Sequence, residues 1–324
     1  MPAPRSRRFR ASLFSLCIAA CAGAHVAHAQ GGSQIGDTTP VAPSRWQQEQ
    51  AMLDQALRAK VLVSTDPREL WIAGRLDSVD PWAQVAALAQ ARVRVPDEKL
   101  FLASLAMACM APLQPLPPEC DATDRLADWA TRDTDNGVPS LLLADRARRR
   151  NNTASMIAFL EEAAARPRFD DYQNRGALVV WEAVRALPGT SDPAARAEAA
   201  AAFGAGHVSS AASQIQYLCR DAQRAADNLR AACASAGAAA AQRAATWQLR
   251  IAGAKLAERS LAPDAQKQLA DLQRRAFECA EAGNPIAQGL ESADAAVRAK
   301  AVAQWEARLA REARAGEVAV CAGG

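Results

Sequence analysis

The sequence predicts an all-α protein built from antiparallel helical hairpins, and three observations carry that prediction. Half of the 324 residues are apolar while aromatics make up only 5%. Alanine supplies much of the apolar share, and it loses no side-chain entropy in a helix. Strand-like runs of β-branched residues are nearly absent: the longest, Val61-Leu62-Val63 and Leu178-Val179-Val180-Trp181, both sit inside helix-like patterns. From residue 45 to about residue 315, apolar positions recur at spacings of three and four, interrupted by Pro, Gly, Asp or Asn. That rhythm reads as about thirteen helices.

The N-terminus comes first in order. Residues 1–29 have the three parts of a secretory signal: the basic stretch MPAPRSRRFR, an apolar stretch over residues 11–24, and Ala27-His28-Ala29 as a small-x-small cleavage site. Ile18-Ala19-Ala20-Cys21 resembles a bacterial lipobox, which implies the alternative that Cys21 is lipidated and becomes the new N-terminus. Ser6-Arg7-Arg8-Phe9 is similar to a twin-arginine signal with its phenylalanine one place early, so general secretion is the better reading. Residues 30–43 (QGGSQIGDTTPVAP) form a flexible leader. The expected address is therefore periplasmic or secreted, or the outer membrane through a lipid on Cys21. No later stretch of about 18 strongly apolar residues occurs, so no transmembrane span is expected.

Charge narrows the partners. Arg5, Arg7, Arg8 and Arg10 lie in the signal, which holds no acid; removing them from 38 basic residues leaves 34 against 35 acidic ones. A nearly neutral body argues against nucleic acid as a partner. Arg146, Arg148, Arg149 and Arg150 fall where a helix should end, and cations there complement the helix dipole.

The helical stretches have readable detail. Around residues 264–282, Leu269, Leu272, Ala276, Cys279 and Ala280 make one stripe, with Pro263 suited to the first turn and Gly283 to the end. Over residues 293–314, Val297, Ala301, Val302, Trp305 and Leu309 make another, and Asp294 and Arg298 form an i,i+4 pair. Trp71, Trp82, Trp129, Trp181, Trp247 and Trp305 read as core anchors; Trp46, beside the leader, reads as exposed.

Eight cysteines include Cys17 and Cys21 in the signal. Cys109, Cys120, Cys219, Cys233, Cys279 and Cys321 remain, an even number suited to disulfides in an exported chain. Cys109 and Cys120 flank Pro112, Pro115, Pro117 and Pro118, which cannot continue a helix, so a stapled hairpin follows. Cys219 and Cys233 could not pair within one helix, where they would lie roughly 21 Å apart. A turn around residues 225–228 would set them opposite each other. Against that turn, Ile215, Leu218, Ala222, Ala225, Leu229 and Ala232 keep a helical rhythm straight through it. Cys279–Cys321 follows by elimination, and reach demands a broken or crossed final helix.

Residues 137–168 raise the question of a helical repeat. Asp133-Thr134-Asp135-Asn136 precedes them as a turn; Leu143 and Ala144, then Leu160 and Ala163, take the paired large and small positions of two helices. This segment resembles a tetratricopeptide repeat over about a tenth of the chain. It departs at Ser140, Ala147 and Met156, where Trp, Tyr and Ala are usual. The resemblance implies an α-solenoid that binds a partner on a concave face. The organisation expected is then residues 1–29 signal peptide, 30–43 leader, 44–190 an N-terminal hairpin region of this repeat type, and 191–324 a C-terminal helical region.

No residue pattern implies a cofactor or metal: no CxxC occurs, and His207 is the only histidine after residue 29. A Ser-His-Asp device would have to use His207, although a histidine near a helix end is more often a cap. Asp170 and Asp171, in a loop between helices, are the remaining acid/base candidates. Glu291-Ser292 matches the Glu-Ser pair of lytic transglycosylases, but the Gly-Leu-Met-Gln-type segment that follows it there is missing, and the pair reads as a helix start. The expected function is an exported helical scaffold for a protein or peptide partner in the bacterial envelope. The alternatives are a cell-wall hydrolase and an envelope inhibitor or immunity-type protein.

Overall fold

Capping residues set where the helices begin. In the computed structural model, which describes residues 45–76, 80–110, 115–121, 124–189, 192–207, 211–222 and 226–322, sixteen helices follow one another. The first five are α1 (Arg45–Leu62), α2 (Pro67–Ala73), α3 (Pro81–Arg94), α4 (Lys99–Ala108) and α5 (Pro118–Asp121). Next come α6 (Arg125–Arg132), α7 (Val138–Arg149), α8 (Thr153–Ala165), α9 (Gln173–Arg185), α10 (Pro193–His207) and α11 (Ala212–Ile215). The chain ends with α12 (Asp227–Arg243), α13 (Trp247–Arg259), α14 (Ala265–Leu290), α15 (Ala295–Ala315) and α16 (Glu317–Ala322). No strand occurs among the described residues. Asp66, Asp80, Asp124, Asn152 and Asp294 each accept backbone N–H groups at the start of the following helix, satisfying donors that have no intrahelical partner. At the other end of a helix, the buried Arg196 side chain donates to the carbonyls of Val184, Arg185 and Leu187 and so closes α9.

Most helices pack on the helix that follows them, and the path returns on itself. α2, α3 and α4 stack in turn, α4 packs on α6, α6 on α7, α7 on α8, and α8 on α12. From there α12, α13, α14 and α15 follow, and α15 packs across α9 and α10, while α10 reaches α1. A large apolar core runs from Leu53 to Leu309, and a smaller one gathers Trp247, Ile251, Leu272, Ala276 and Val318. Trp181 of α9 meets Trp305 of α15 edge-on, with ring centroids 4.8 Å apart, and donates its Nε1–H to Glu306 at 3.1 Å. Among the described residues no helix is long and apolar enough to cross a membrane.

Three disulfides staple the helices. Cys109–Cys120 joins the residue after α4 to α5, with Cα atoms 5.4 Å apart. Cys219–Cys233 has a Cα separation of 6.1 Å. The continuous helix suggested by the apolar rhythm does not form: α11 stops at Ile215 and α12 starts afresh at Asp227. Cys279–Cys321 spans 5.6 Å between Cα atoms. It closes because the last helix is broken. Gly316 has φ +84, a conformation open to glycine at no steric cost, and it turns the chain so that α16 brings Cys321 back to Cys279. Arg308 marks the level of the bond, with Nη2 3.6 Å from the sulfur of Cys279 and 3.9 Å from that of Cys321.

Several expectations need correction. α14 does not end at Gly283 but runs on through Pro285 to Leu290, and its N-cap is Asp264 rather than a proline-led turn. Gly283 lies inside α14, where a Cβ would come within 2.8 Å of the movable Arg308 guanidinium. Arg298 pairs with Asp192 at 2.9 Å, because Asp294 is occupied in capping α15. Val297 is 44% exposed, on the outer side of the α15 stripe, and Trp82 is 38% exposed in the first turn of α3, while the other five helix tryptophans are buried. Glu291 and Ser292 close α14 instead of opening α15. The signal, the leader, Cys21, the Trp46 side chain and the His207 side chain lie outside the described residues.

Candidate functional site

Residues 166–172 link α8 to α9, with Arg168 and Phe169 bridged to neighbouring linkers and Tyr172 in the left-handed region. Arg168 N donates to Asp135 O at 3.2 Å, and Gly137 N returns to Arg168 O at 2.8 Å. On the other side Ala245 N donates to Phe169 O at 2.9 Å, and Val318 N donates to Ala245 O at 3.1 Å. The linkers that precede α7, α9 and α13 and the first turn of α16 are thereby tied in one row. Backbone groups that no helix satisfies find partners in each other.

Beneath this row lies a polar cluster centred on Asp133, whose side chain is 0% exposed. It accepts from Trp129 Nε1 at 3.1 Å, Asn136 Nδ2 at 2.8 Å and Tyr172 Oη at 2.7 Å. Lys99 Nζ lies 3.0 Å away and Arg168 pairs with the same carboxylate. Burial opposes its ionisation, but the hydrogen bonds from Tyr172, Asn136 and Lys99 and the Arg168 charge outweigh burial and hold the group below the usual carboxylate range. Tyr172, placed at φ 61, keeps its hydroxyl protonated: burial and the hydrogen bond to Asp133 push its pKa far up.

The linker row forms one side of a cleft of about 1290 Å³. α14 and α15 make the facing wall, and α16 with the Cys279–Cys321 bond lines its end. The lining carries nine cations, Lys99 and eight arginines, against two acids, Asp170 and Glu278. A second, smaller concavity of about 270 Å³ shares Arg175 and Arg314 with it.

Of the candidates from sequence, Asp170 lies in the cleft wall. Its carboxylate accepts from Tyr172 N at 2.8 Å, and Arg168 Nη1 lies 3.7 Å away. Burial raises its pKa more than the Tyr172 N–H and Arg168 lower it. Asp171 is not a solvated turn residue: it is buried and accepts from Ala211 N at 3.1 Å, tying the linker to α11. Asp170 is held by Tyr172 N and Arg168 and Asp171 by Ala211 N, so the two do not converge as a dyad. Glu291 is exposed at the end of α14 and is not part of the cleft. Among the described residues no three His, Cys, Asp or Glu side chains gather as a metal site.

Sequence reading missed the arginines. They come from five helices and one linker, so their charge cancels in the whole-chain balance. The one local signal is Arg308, Arg311 and Arg314, spaced by three along α15 and therefore near one face. Compared with protein-family models, curated proteins and solved structures, the chain matches none of them.

Proposed function

We propose that the protein is an exported helical scaffold of the bacterial envelope, of the helical-repeat type, which holds part of a protein or peptide partner in this cleft. The observation that carries the reading is a 1290 Å³ concavity walled by rigid helices and linkers, with a large cationic surplus. Export rests on residues 1–29, with cleavage before Gln30 or lipidation of Cys21 as the two routes. Binding is favoured over catalysis because the carboxylate built most deeply beneath the site, Asp133, is saturated by donors. An inhibitor or immunity-type protein would be a narrower form of the same role. The test is a photo-crosslinking residue placed at Gln304, in the cleft, and at Gln266, outside it. A protein adduct from envelope extract at position 304 and not at 266 supports the reading; no adduct at 304 defeats it.

One observation favours a second reading. Asp170 lines the cleft with its pKa raised by burial, as suits a general acid. A peptidoglycan digestion assay decides: activity in the native protein that is lost in Asp170→Asn would replace the binding reading with a hydrolase.

A further inference from the structure

The charge surplus of the cleft is not all neutralised by its own surroundings. Lys99 and Arg168 share Asp133, Arg175 pairs with Glu98, Arg275 with Asp271, and Arg308 with Glu312. The other four cations, Arg243, Arg250, Arg311 and Arg314, have no carboxylate in ion-pair contact among the described residues. Arg243 and Arg250 are held, but by neutral groups. Arg243 Nη1 donates to the carbonyls of Ala164 and Arg166 at 3.0 and 2.8 Å, and Arg250 Nε donates to that of Ala244 at 2.9 Å. Burial and the Arg275 charge, which comes from α14, push the Arg250 pKa down, so like charges meet across the cleft. Arg311 and Arg314 line the facing wall on α15 and are exposed. Cations placed on opposite walls without counter-charges suit an anionic occupant, and the guanidinium fork matches a carboxylate in bidentate fashion.

We propose, resting on the binding reading above, that the cleft takes an acidic polypeptide segment whose Asp and Glu carboxylates pair with Arg243, Arg250, Arg311 and Arg314. Size argues for a polymer, since small-molecule pockets run to roughly 1,000 Å³. The aromatic residues of the lining argue against nucleic acid or glycan. Phe169, Tyr172 and Trp247 are all buried in the walls, so no ring face is offered for a base or sugar to stack on. Between the arginines the lining is mainly alanine with Pro285, Ile286 and Val318, which suits the apolar parts of a peptide.

The experiment uses the exported chain with its disulfides intact and three labelled peptides of equal length: glutamate/alanine, serine/alanine and lysine/alanine. Binding is read by fluorescence anisotropy. The glutamate/alanine peptide is expected to bind and to weaken with added salt, since screening shortens the reach of exposed charges. Arg311→Glu with Arg314→Glu should weaken it on the order of 100-fold, about tenfold for each charge-assisted contact. Arg94→Glu with Arg220→Glu, which makes the same change in net charge at exposed positions outside the cleft, should leave binding within about twofold. If the serine/alanine peptide binds equally and the Arg311/Arg314 reversal changes nothing, the acidic partner is refuted while the binding reading stands. If no peptide binds, both fall. If single-stranded DNA or a sulfated glycan displaces the acidic peptide with higher affinity, the occupant is of another class and the proposal is overturned.

Discussion

Replacing Asp133 by Asn removes one charge and turns an acceptor into a donor at the point where five donors meet. Lys99 and Arg168 keep 40% and 33% of their side chains exposed, so water can take over much of their loss. Trp129 is fully buried and Tyr172 nearly so, and their N–H and O–H have no such recourse. A buried donor left without a partner costs about 1–3 kcal/mol, and removing one side of a buried ionic cluster costs about 3–5 kcal/mol. The expected loss is therefore about 3–5 kcal/mol. Urea unfolding followed by circular dichroism at 222 nm should show a midpoint about 1–2 M lower, at a slope near 3 kcal/mol per M. The pH dependence gives an independent check. The Asp133 pKa is depressed in the folded chain, so its stabilisation is complete above the unfolded value of about 3.9 and is lost as pH falls through the folded value. Asp133→Asn should lack that acid limb. A variant less than about 1 kcal/mol weaker than the native chain, with the acid limb intact, would refute the account of the cluster.

Three further outcomes are expected. Cys219→Ser with Cys233→Ser opens a loop with a sequence separation of 14 and should cost about 3 kcal/mol, read as a lower urea midpoint in non-reducing buffer. Gly253→Ala should destabilise by about 1–3 kcal/mol through overpacking although alanine is the better helix former; its Cβ would meet Ala241 N at 2.6 Å where α12 and α13 touch, and thermal melts of the two chains check the sign. Burial raises the Glu317 pKa to about 7, against the lowering effect of the Trp247 N–H. Its contribution is full below the unfolded value of about 4.3 and is lost as pH rises towards 7, so Glu317→Gln should flatten the stability profile between pH 5 and pH 7.

The helices were legible because their causes are local. The burial of Ala301, Val302, Trp305 and Leu309 follows from spacing along one helix, whereas the start of that helix was misplaced at Glu291-Ser292 because Asp294 caps it instead. Cys109–Cys120 and Cys219–Cys233 were legible for the same reason: the partners are close in the chain and the residues between them must turn. Cys279–Cys321 was reachable only by elimination, since it depends on where α15 stops and on the reversal at Gly316. Asp170 could be named as a candidate, but its place in a cleft wall could not, because the linker that carries it is positioned by Asp135, Gly137 and Ala245.

The amino-acid order alone determined the helical class and the Cys109–Cys120 staple, and it favoured Cys219–Cys233; these follow from backbone satisfaction and side-chain entropy over a few residues. Tertiary packing decided the rest: that α15 lies across α9, that Asp133 gathers its five donors, and that arginines from distant helices face a common space. Alanine-rich stripes have similar shapes and can pack against one another in many combinations. Which faces meet is settled by contacts such as Trp181 against Trp305 and Gly237 against Gly253, which exist only once the chain has folded.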